Sequence, residues 1–504
     1  MRGCPKSQRH RAQANARHSG GPAPKRVRIN PLLVPGSRIV FPPGKIFARS
    51  CCRAGQTGNE SLPAHLPVEL QEYAFKLLAE TRSSVFLTGK AGTGKSTFLR
   101  EAVQQLTKKT VVVAPTGIAA IQVRGETLHA FFKLPFGPIL PGDQRLKQIR
   151  YPSDKKKLMM DMEVLVIDEV SMVRADLLDA VDECLRRVRK EHVPFGGVQL
   201  LLVGDLLQLE PVTTSADREL LSNWYRSPFF FEARVLREIE LVNIELEKVY
   251  RQQDADFIAL LDRIRKGTPT YEDMVQLNHL PKVPSPSEEA YCIVLTGTRA
   301  SAESTNRSRL QELAAELVVY EGTITDNFPQ NHLPTERRLE LKKGAQVIFI
   351  RNDIGAFRRW VNGTLGVISE TGENQVVVRL RDGTEHKVEP VRWEHIRYAV
   401  DKEGKISEEV LGAFDQLPLA LAWAVTIHKS QGLTFDQACI DLGNGAFAAG
   451  QLYVALSRCR TLEGIYLKRR LRRQDAMARE EVLRFYEQMN NLEEIRQLLS
   501  GQEE

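Results

Sequence analysis

The sequence predicts an α/β protein built on parallel sheets, and three observations carry that expectation. Strand and helix signals alternate through residues 65 to 240. A glycine-rich stretch, Gly89-Lys90-Ala91-Gly92-Thr93-Gly94-Lys95-Ser96, falls between an apolar strand pattern and a helix start. The alternation then lapses into short strands near Leu341 and resumes at Leu419, as an insertion in a second α/β unit would.

The 504-residue chain is long enough for two or three domains. Its net charge of +7 is unevenly spread. Residues 1 to 60 carry 12 Lys/Arg against the single acid Glu60, which leaves 58 basic and 62 acidic residues in the remainder. Global charge therefore says nothing about a nucleic-acid partner, and any such site must be a local groove. The Arg-, Pro- and Gly-rich opening, taken as 1–61, is expected to be disordered. An organellar transit peptide and a basic nucleic-acid arm are two readings of it. The third, upstream sequence from a misplaced start, is favoured because folded-looking sequence begins only near Leu62. Seven scattered cysteines without a Cys-x-x-Cys pair argue against a disulfide framework or zinc site. No apolar run approaches the roughly 18 residues of a membrane span, so no membrane partner is expected.

In chain order, the strand candidates of the first unit are Ser84–Leu87, Thr110–Val113, Val164–Ile167 and Val198–Val203. Three of them run straight into polar clusters, at Gly89–Ser96, Asp168–Glu169 and Gly204–Asp205, where ligands bind in open parallel sheets. Residues 133–157 read as an insertion over the sheet edge. A second α/β unit is expected from about Ile244, with a Pro/Ser segment at 284–287 before a strand at Tyr291–Leu295. Val376–Val378 and Asp382-Gly383 suggest a hairpin with a type I′ turn. The expected division is 1–61, 62–243, 244–340 with 412–470, an all-β insertion at 341–411, and a helical tail at 471–504. The tail reads as an ordinary amphipathic helix.

Strand, glycine loop and helix N-terminus together make a phosphate site, because backbone N–H groups and the helix dipole converge there. Lys95 can reach the β- and γ-phosphates and the Ser96 hydroxyl can ligate Mg²⁺. The nucleotide contacts are therefore assigned to Gly89, Lys90, Ala91, Gly92, Thr93, Gly94, Lys95, Ser96 and Thr97, with ATP and Mg²⁺ as cofactors. Asp168 and Glu169 end a buried strand. Asp168 is placed to hold Mg²⁺ through water, and Glu169 to deprotonate the attacking water. An apolar run before Asp-Glu is common, but one about 70 residues after such a loop is specific. Gln208, just past a strand end, can hydrogen-bond the γ-phosphate. Arg251 and Arg458, both flanked by motif-like residues, can neutralise phosphate charge across a domain cleft.

Ala114–Ala120, Asp168–Val173, Gly204–Val212, Thr426–Gly432 and Tyr453–Arg458 follow the loop in order. Together they resemble the motif set of superfamily-one DNA helicases. The resemblance spans about residues 62 to 470 and is closest to the PIF-one branch in its bacterial form, with the RecD-like branch second. It implies two RecA-like P-loop domains with ATP between them and a small barrel at 341–411 in the second. It also implies a strand-separating wedge at 133–157 and an adenine-reading glutamine at Gln71. Thr116 and His129 resemble DNA-backbone contacts of the first domain, and Thr426, His428, Lys429 and Ser430 those of the second. The implied activity is ATP-dependent 5′-to-3′ travel on single-stranded DNA and unwinding of tailed duplexes, by a monomer. Roles in replication, recombination, repair and telomere maintenance follow at family level. The location implied is a bacterial cytoplasm, or a mitochondrion or nucleus if residues 1–60 are a true targeting sequence. A DNA-stimulated ATPase that remodels protein–DNA complexes without unwinding is the alternative, and a nucleotide-switch binding protein the third class.

Overall fold

Six strands lie parallel in the first sheet: β1 (Ser84–Gly89), β2 (Thr110–Ala114), β3 (Glu126–Thr127), β4 (Val164–Ile167), β5 (Gln199–Val203) and β6 (Leu241–Leu246). Their spatial order is β3-β2-β4-β5-β1-β6. This computed structural model describes residues 69–284, 291–330, 333–353, 359–400 and 406–500. The basic segment 1–61 and most of the Pro/Ser segment at 284–287 lie outside the described residues. β4 and β5 are buried along their whole length, which is why they read as unbroken apolar runs. Phe86, Val111, Leu165 and Leu202 face one core with the helix Ala175–Arg189. Val85, Val112, Val166 and Leu201 face the other with the helices Glu69–Glu80 and Lys95–Gln105. Since the strands are parallel and β4, β5 and β1 adjoin, Asp168, Asp205 and the glycine loop emerge along one stretch of one sheet edge.

β6 corrects the expected start of the second unit at residue 244. It pairs with β1 from Ser84↔Leu241 to Gly89↔Leu246, so the first sheet continues through Leu246. The tail also departs from the expected single amphipathic helix. Two short helices, Glu480–Tyr486 and Leu492–Ser500, lie on opposite faces of the first sheet, with Val482 buried in one core and Ile495 in the other. Between them Asn490 covers the β6 edge. Its N–H donates to the Asn243 carbonyl (2.9 Å), and its side-chain oxygen accepts from the Glu245 N–H (2.8 Å). An edge strand so covered offers no template for further pairing.

The second sheet has four parallel strands, ordered Ala424–Thr426, Ile293–Thr296, Ala438–Asp441 and Ile465–Leu467. The helices Ala255–Arg265 and Gln451–Leu456 pack on it. The all-β insertion is wider than 341–411. Its strands begin at Val318–Glu321 and end at Leu419–Leu421, in antiparallel groups of two, five and three. The Asp382-Gly383 hairpin is present without a type I′ turn. Of that pair only Gly383 takes a positive φ (+84°), and its N–H donates to the Leu380 carbonyl, a turn closed by a glycine bulge.

Residues 133–157 do cross the β3 edge. Leu134, Ile139, Leu146 and Tyr151 are buried in the first-domain core, and Lys155 forms a buried ion pair with Glu126 of β3 at 3.0 Å. The long hairpin of Val391–Val400 and Ile406–Gln416 docks on the same place. The Tyr398 N–H donates to the Glu126 carboxylate (3.0 Å) and the Tyr398 hydroxyl to the Arg124 carbonyl (2.8 Å). No helix among the described residues is long and apolar enough to cross a membrane.

Candidate nucleotide cleft and nucleic-acid surface

The loop after β1 is held open by glycine. Gly89, Gly92 and Gly94 take φ of +148°, +83° and +89°, conformations that L side chains rarely adopt. A Cβ on Gly92 would also lie 2.4 Å from the Arg251 Cβ. Gly94 caps the helix Lys95–Gln105, whose first N–H groups have no partner within the helix. The Lys95 ammonium bridges the loop, donating to the carbonyls of Gly89 (2.6 Å) and Lys90 (3.1 Å). Burial lowers its pKa, opposed by the charges of Asp205 and Glu169. Ser96 and Thr97 are exposed. The Lys90 side chain turns away from the loop into an ion pair with Asp262 at 3.0 Å, so only its backbone serves the phosphate site.

Asp168 and Glu169 follow β4, and Glu169 adopts φ +49° as the chain turns into the helical turn Val170–Met172. Burial raises the pKa of both carboxyls. The Glu169 charge raises Asp168 further, and Lys95 and Arg458 pull Glu169 back. Gln208 is buried with its amide fixed at both ends. Its Nε2 donates to Asp205 Oδ2 (3.1 Å), and its Oε1 accepts from Gln431 Nε2 across the cleft (3.4 Å).

The second unit meets this edge closely. The Ala91 N–H donates to the Tyr453 hydroxyl (2.9 Å), and a Cβ on Gly450 would lie 1.6 Å from the Gln208 carbonyl oxygen. Arg251 donates to the carbonyls of Ser457 (3.2 Å) and Gly432 (3.5 Å). Arg458 is only 1% exposed, and its guanidinium donates to the carbonyls of Val454, Ser430 and Leu433 and to the Ser457 hydroxyl. Burial and then the Arg251 charge bring its pKa down to about 9. Arg458 is thus tied within the second unit rather than extended toward the loop.

Gln71 and Tyr250 flank the loop's end, 3.6 and 3.7 Å from where a Gly94 Cβ would sit. Tyr250 was not among the residues read from the sequence. Its N–H donates to the Gly92 carbonyl (2.8 Å) while its ring is 56% exposed. An aromatic residue directly before a cleft arginine was the available signal.

The six residues expected at DNA divide into two kinds. Thr116, His129 and His428 are partly exposed and Lys429 is exposed. His129 stacks on Phe136 (5.4 Å between centroids), a ring 80% exposed that sequence reading passed over. Burial lowers the pKa of both histidines, with Arg174 adding to the effect at His129, so neutral imidazoles are favoured there. Thr426 and Ser430 instead face inward. The Thr426 hydroxyl oxygen accepts the Lys429 N–H (3.2 Å), and the fully buried Ser430 hydroxyl donates to the Ile427 carbonyl (2.7 Å). They shape this turn rather than offering it a phosphate donor.

Two parallel sheets meeting at a glycine loop, with paired carboxylates on one side and arginines on the other, define a two-domain P-loop protein. The chain belongs to the PIF1-like helicase family. The model of that family matches residues 70–274. The chain is 36% identical over 416 residues to the ATP-dependent DNA helicase PIF1 of Homo sapiens, covering 80% of this chain and 61% of that protein. Against the ATP-dependent DNA helicase Pif1 of Bdellovibrio bacteriovorus it is 33% identical over 422 residues, covering 81% and 89%. Among solved structures, the unliganded Pif1 from Bacteroides sp superposes with a TM-score of 0.76 at 40% identity, covering 83% and 96%. Bacteroides Pif1 bound to ssDNA gives 0.62 at the same identity, covering 84% and 97%. The Bacteroides Pif1 complex with ADP-AlF4 gives 0.77 at 39% identity, covering 84% and 97%.

Proposed function

We propose that this chain is an ATP-dependent DNA helicase that moves 5′ to 3′ on single-stranded DNA and unwinds tailed duplexes. The observation that carries this is the cleft itself. Lys95, Glu169 and Gln208 stand at the edge of the first sheet. Arg251 follows β6 with its backbone against the loop and its guanidinium on second-unit carbonyls, and Tyr453 and Arg458 come from the second unit. The family relatives are ATP-dependent DNA helicases by name, and Bacteroides Pif1 has been solved in complex with ADP-AlF4 and with ssDNA. This chain spans about 61% of the length of the human relative.

The residues present fit a nucleoside triphosphate with Mg²⁺. A glycine cradle opens onto a helix N-terminus, and the Ser96 hydroxyl and Asp168 carboxylate form an oxygen donor set of the kind Mg²⁺ takes. Mg²⁺ would supply charge neutralisation on the phosphate oxygens. Lys95 leaves its loop carbonyls for the β- and γ-phosphates. Glu169, its pKa raised by burial, accepts the proton of the attacking water. Gln208 reads the γ-phosphate, and Arg251, from beside the loop, and Arg458, from the second domain, neutralise charge as the cleft tightens. Gln71 and Tyr250 hold the adenine by its edge and its face.

Thr116, His129, His428 and Lys429 grip the DNA backbone without reading sequence, and Phe136 gives a base a ring to stack on. Residues 133–157, braced by Lys155, act as the wedge. A strand-displacement assay on duplexes with 5′ or 3′ tails tests the reading, with displacement expected from 5′ tails alone. DNA-stimulated ATP hydrolysis without displacement of either substrate would replace it with the protein–DNA remodelling ATPase. We take the monomer as the working unit, although one Pif1 structure concerns two coordinating Pif1 helicases at forked dsDNA.

A further inference from the structure

Behind the phosphate loop, the C-terminal segment, which no sequence motif covers, contributes a hydroxyl to a buried polar cluster. Tyr486 Oη lies 2.7 Å from Thr88 Oγ1, on the residue directly before the loop, and 3.1 Å from Asp205 Oδ1. Thr88 and Asp205 are buried. An ionised carboxylate only accepts. The tyrosine proton therefore goes to Asp205, and the tyrosine oxygen accepts from Thr88. Asp205 is held ionised. Burial alone would raise its carboxyl, but the Arg265 and Lys95 charges outweigh burial and keep it below the ordinary value. Arg265, from the second domain's helix Ala255–Arg265, donates to the same Oδ1 at 2.9 Å and lies 5.0 Å from the Tyr486 ring. The other carboxylate oxygen, Oδ2, accepts the Gln208 amide (3.1 Å). That bond fixes which way Gln208 points, because its N–H₂ must face the carboxylate and its carbonyl then faces Gln431.

We propose that Tyr486 is a positioning residue for ATP turnover, whose hydroxyl locks Asp205 against Thr88 and thereby sets the orientation of Gln208. The proposal rests on the reading of Gln208 as the γ-phosphate contact. A hydrogen-bonded line then runs from the start of the phosphate loop through Tyr486, Asp205 and Gln208 to Gln431. Gln431 adjoins the Thr426–Ser430 turn of the second domain. The C-terminal segment is by this account part of the coupling between nucleotide and DNA, and not only a cover for the β6 edge.

Tyr486→Phe in the full chain keeps the ring and its contact with Arg265 and removes only the bridging oxygen. The kcat of oligo-dT-stimulated ATP hydrolysis should fall about ten-fold, the scale of one hydrogen bond to a charged group. Binding of a fluorescent ADP analogue and of oligo-dT should stay at the parent's values. In a Gln208→Ala background the same substitution should add no further loss, since both act through one element. An unchanged kcat, an equal loss in both backgrounds, or a matching loss of ADP and oligo-dT binding would each overturn the proposal. A parent chain that fails to hydrolyse ATP with oligo-dT would instead overturn the functional reading, and this proposal with it.

Discussion

The Tyr453 hydroxyl accepts the backbone N–H of Ala91 at 2.9 Å, so a second-domain helix is bonded directly to the phosphate loop. Tyr453→Phe leaves that N–H without its partner, at a cost of about 1–2 kcal/mol. Urea denaturation should show the loss. A midpoint equal to the parent's would mean that the N–H finds another acceptor.

Lys95→Ala should remove ATP hydrolysis by roughly 10²–10³-fold or more, the scale of losing one positioned charge on a reacting oxygen. The fold should survive, because the ammonium's partners are loop carbonyls rather than core groups. Circular dichroism checks the second point and steady-state phosphate release the first. Near-native hydrolysis with DNA would contradict the site assignment.

Glu169→Gln should bind Mg-ATP and turn it over 10²–10⁴-fold more slowly, about the contribution of a general base. Nucleotide titration separates this from a structural role, for which binding itself would be lost.

Arg458→Ala should cut DNA-stimulated hydrolysis by roughly 10³-fold, the scale of an arginine finger. Its guanidinium also ties together four groups of its own domain, so Arg458→Lys is the control that keeps the charge. Lysine cannot reproduce the planar fork, and this variant should fold, bind oligo-dT and still hydrolyse slowly. Stimulation of Arg458→Lys or Arg458→Ala by DNA to the parent's rate would rule out the finger.

Gly450→Ala should force the domains apart at the cleft. The new Cβ would overlap the Gln208 carbonyl, and the φ of +74° costs a non-glycine residue about 1–2 kcal/mol by itself. Small-angle scattering should show a wider particle, and ATP hydrolysis should be lost. Parent-like scattering and turnover together would show that this close approach is dispensable.

Much of the first domain was legible because its central strands are buried on both faces and end in chemistry. Ser84–Leu87, Val164–Ile167 and Val198–Val203 read directly for that reason. The expected boundary at 243/244 cuts through β6, because an alternating edge strand looks the same whether it closes one sheet or opens another. The glycine loop, Asp168, Glu169 and Gln208 come together as their spacing implied. What the sequence could not show is where hydroxyls point. Ser430 turns its own inward, while Tyr453 and Tyr486 send theirs to partners hundreds of residues away. Local patterns carry no signal for pairings of that separation.

The return of the C-terminal segment to the first sheet also dictates when that sheet can be finished. Ile495 is buried in the core that Leu77, Val85 and Ile244 share, and Asn490 is the cover on the β6 edge. During synthesis, a nascent first domain would leave the ribosome with an apolar gap beside the helix Glu69–Glu80 and an uncovered strand. Both would persist until the whole second domain had been translated. Such an intermediate favours capture by chaperones or edge-to-edge association, and a recombinant fragment stopping at Leu246 would inherit the same exposure permanently.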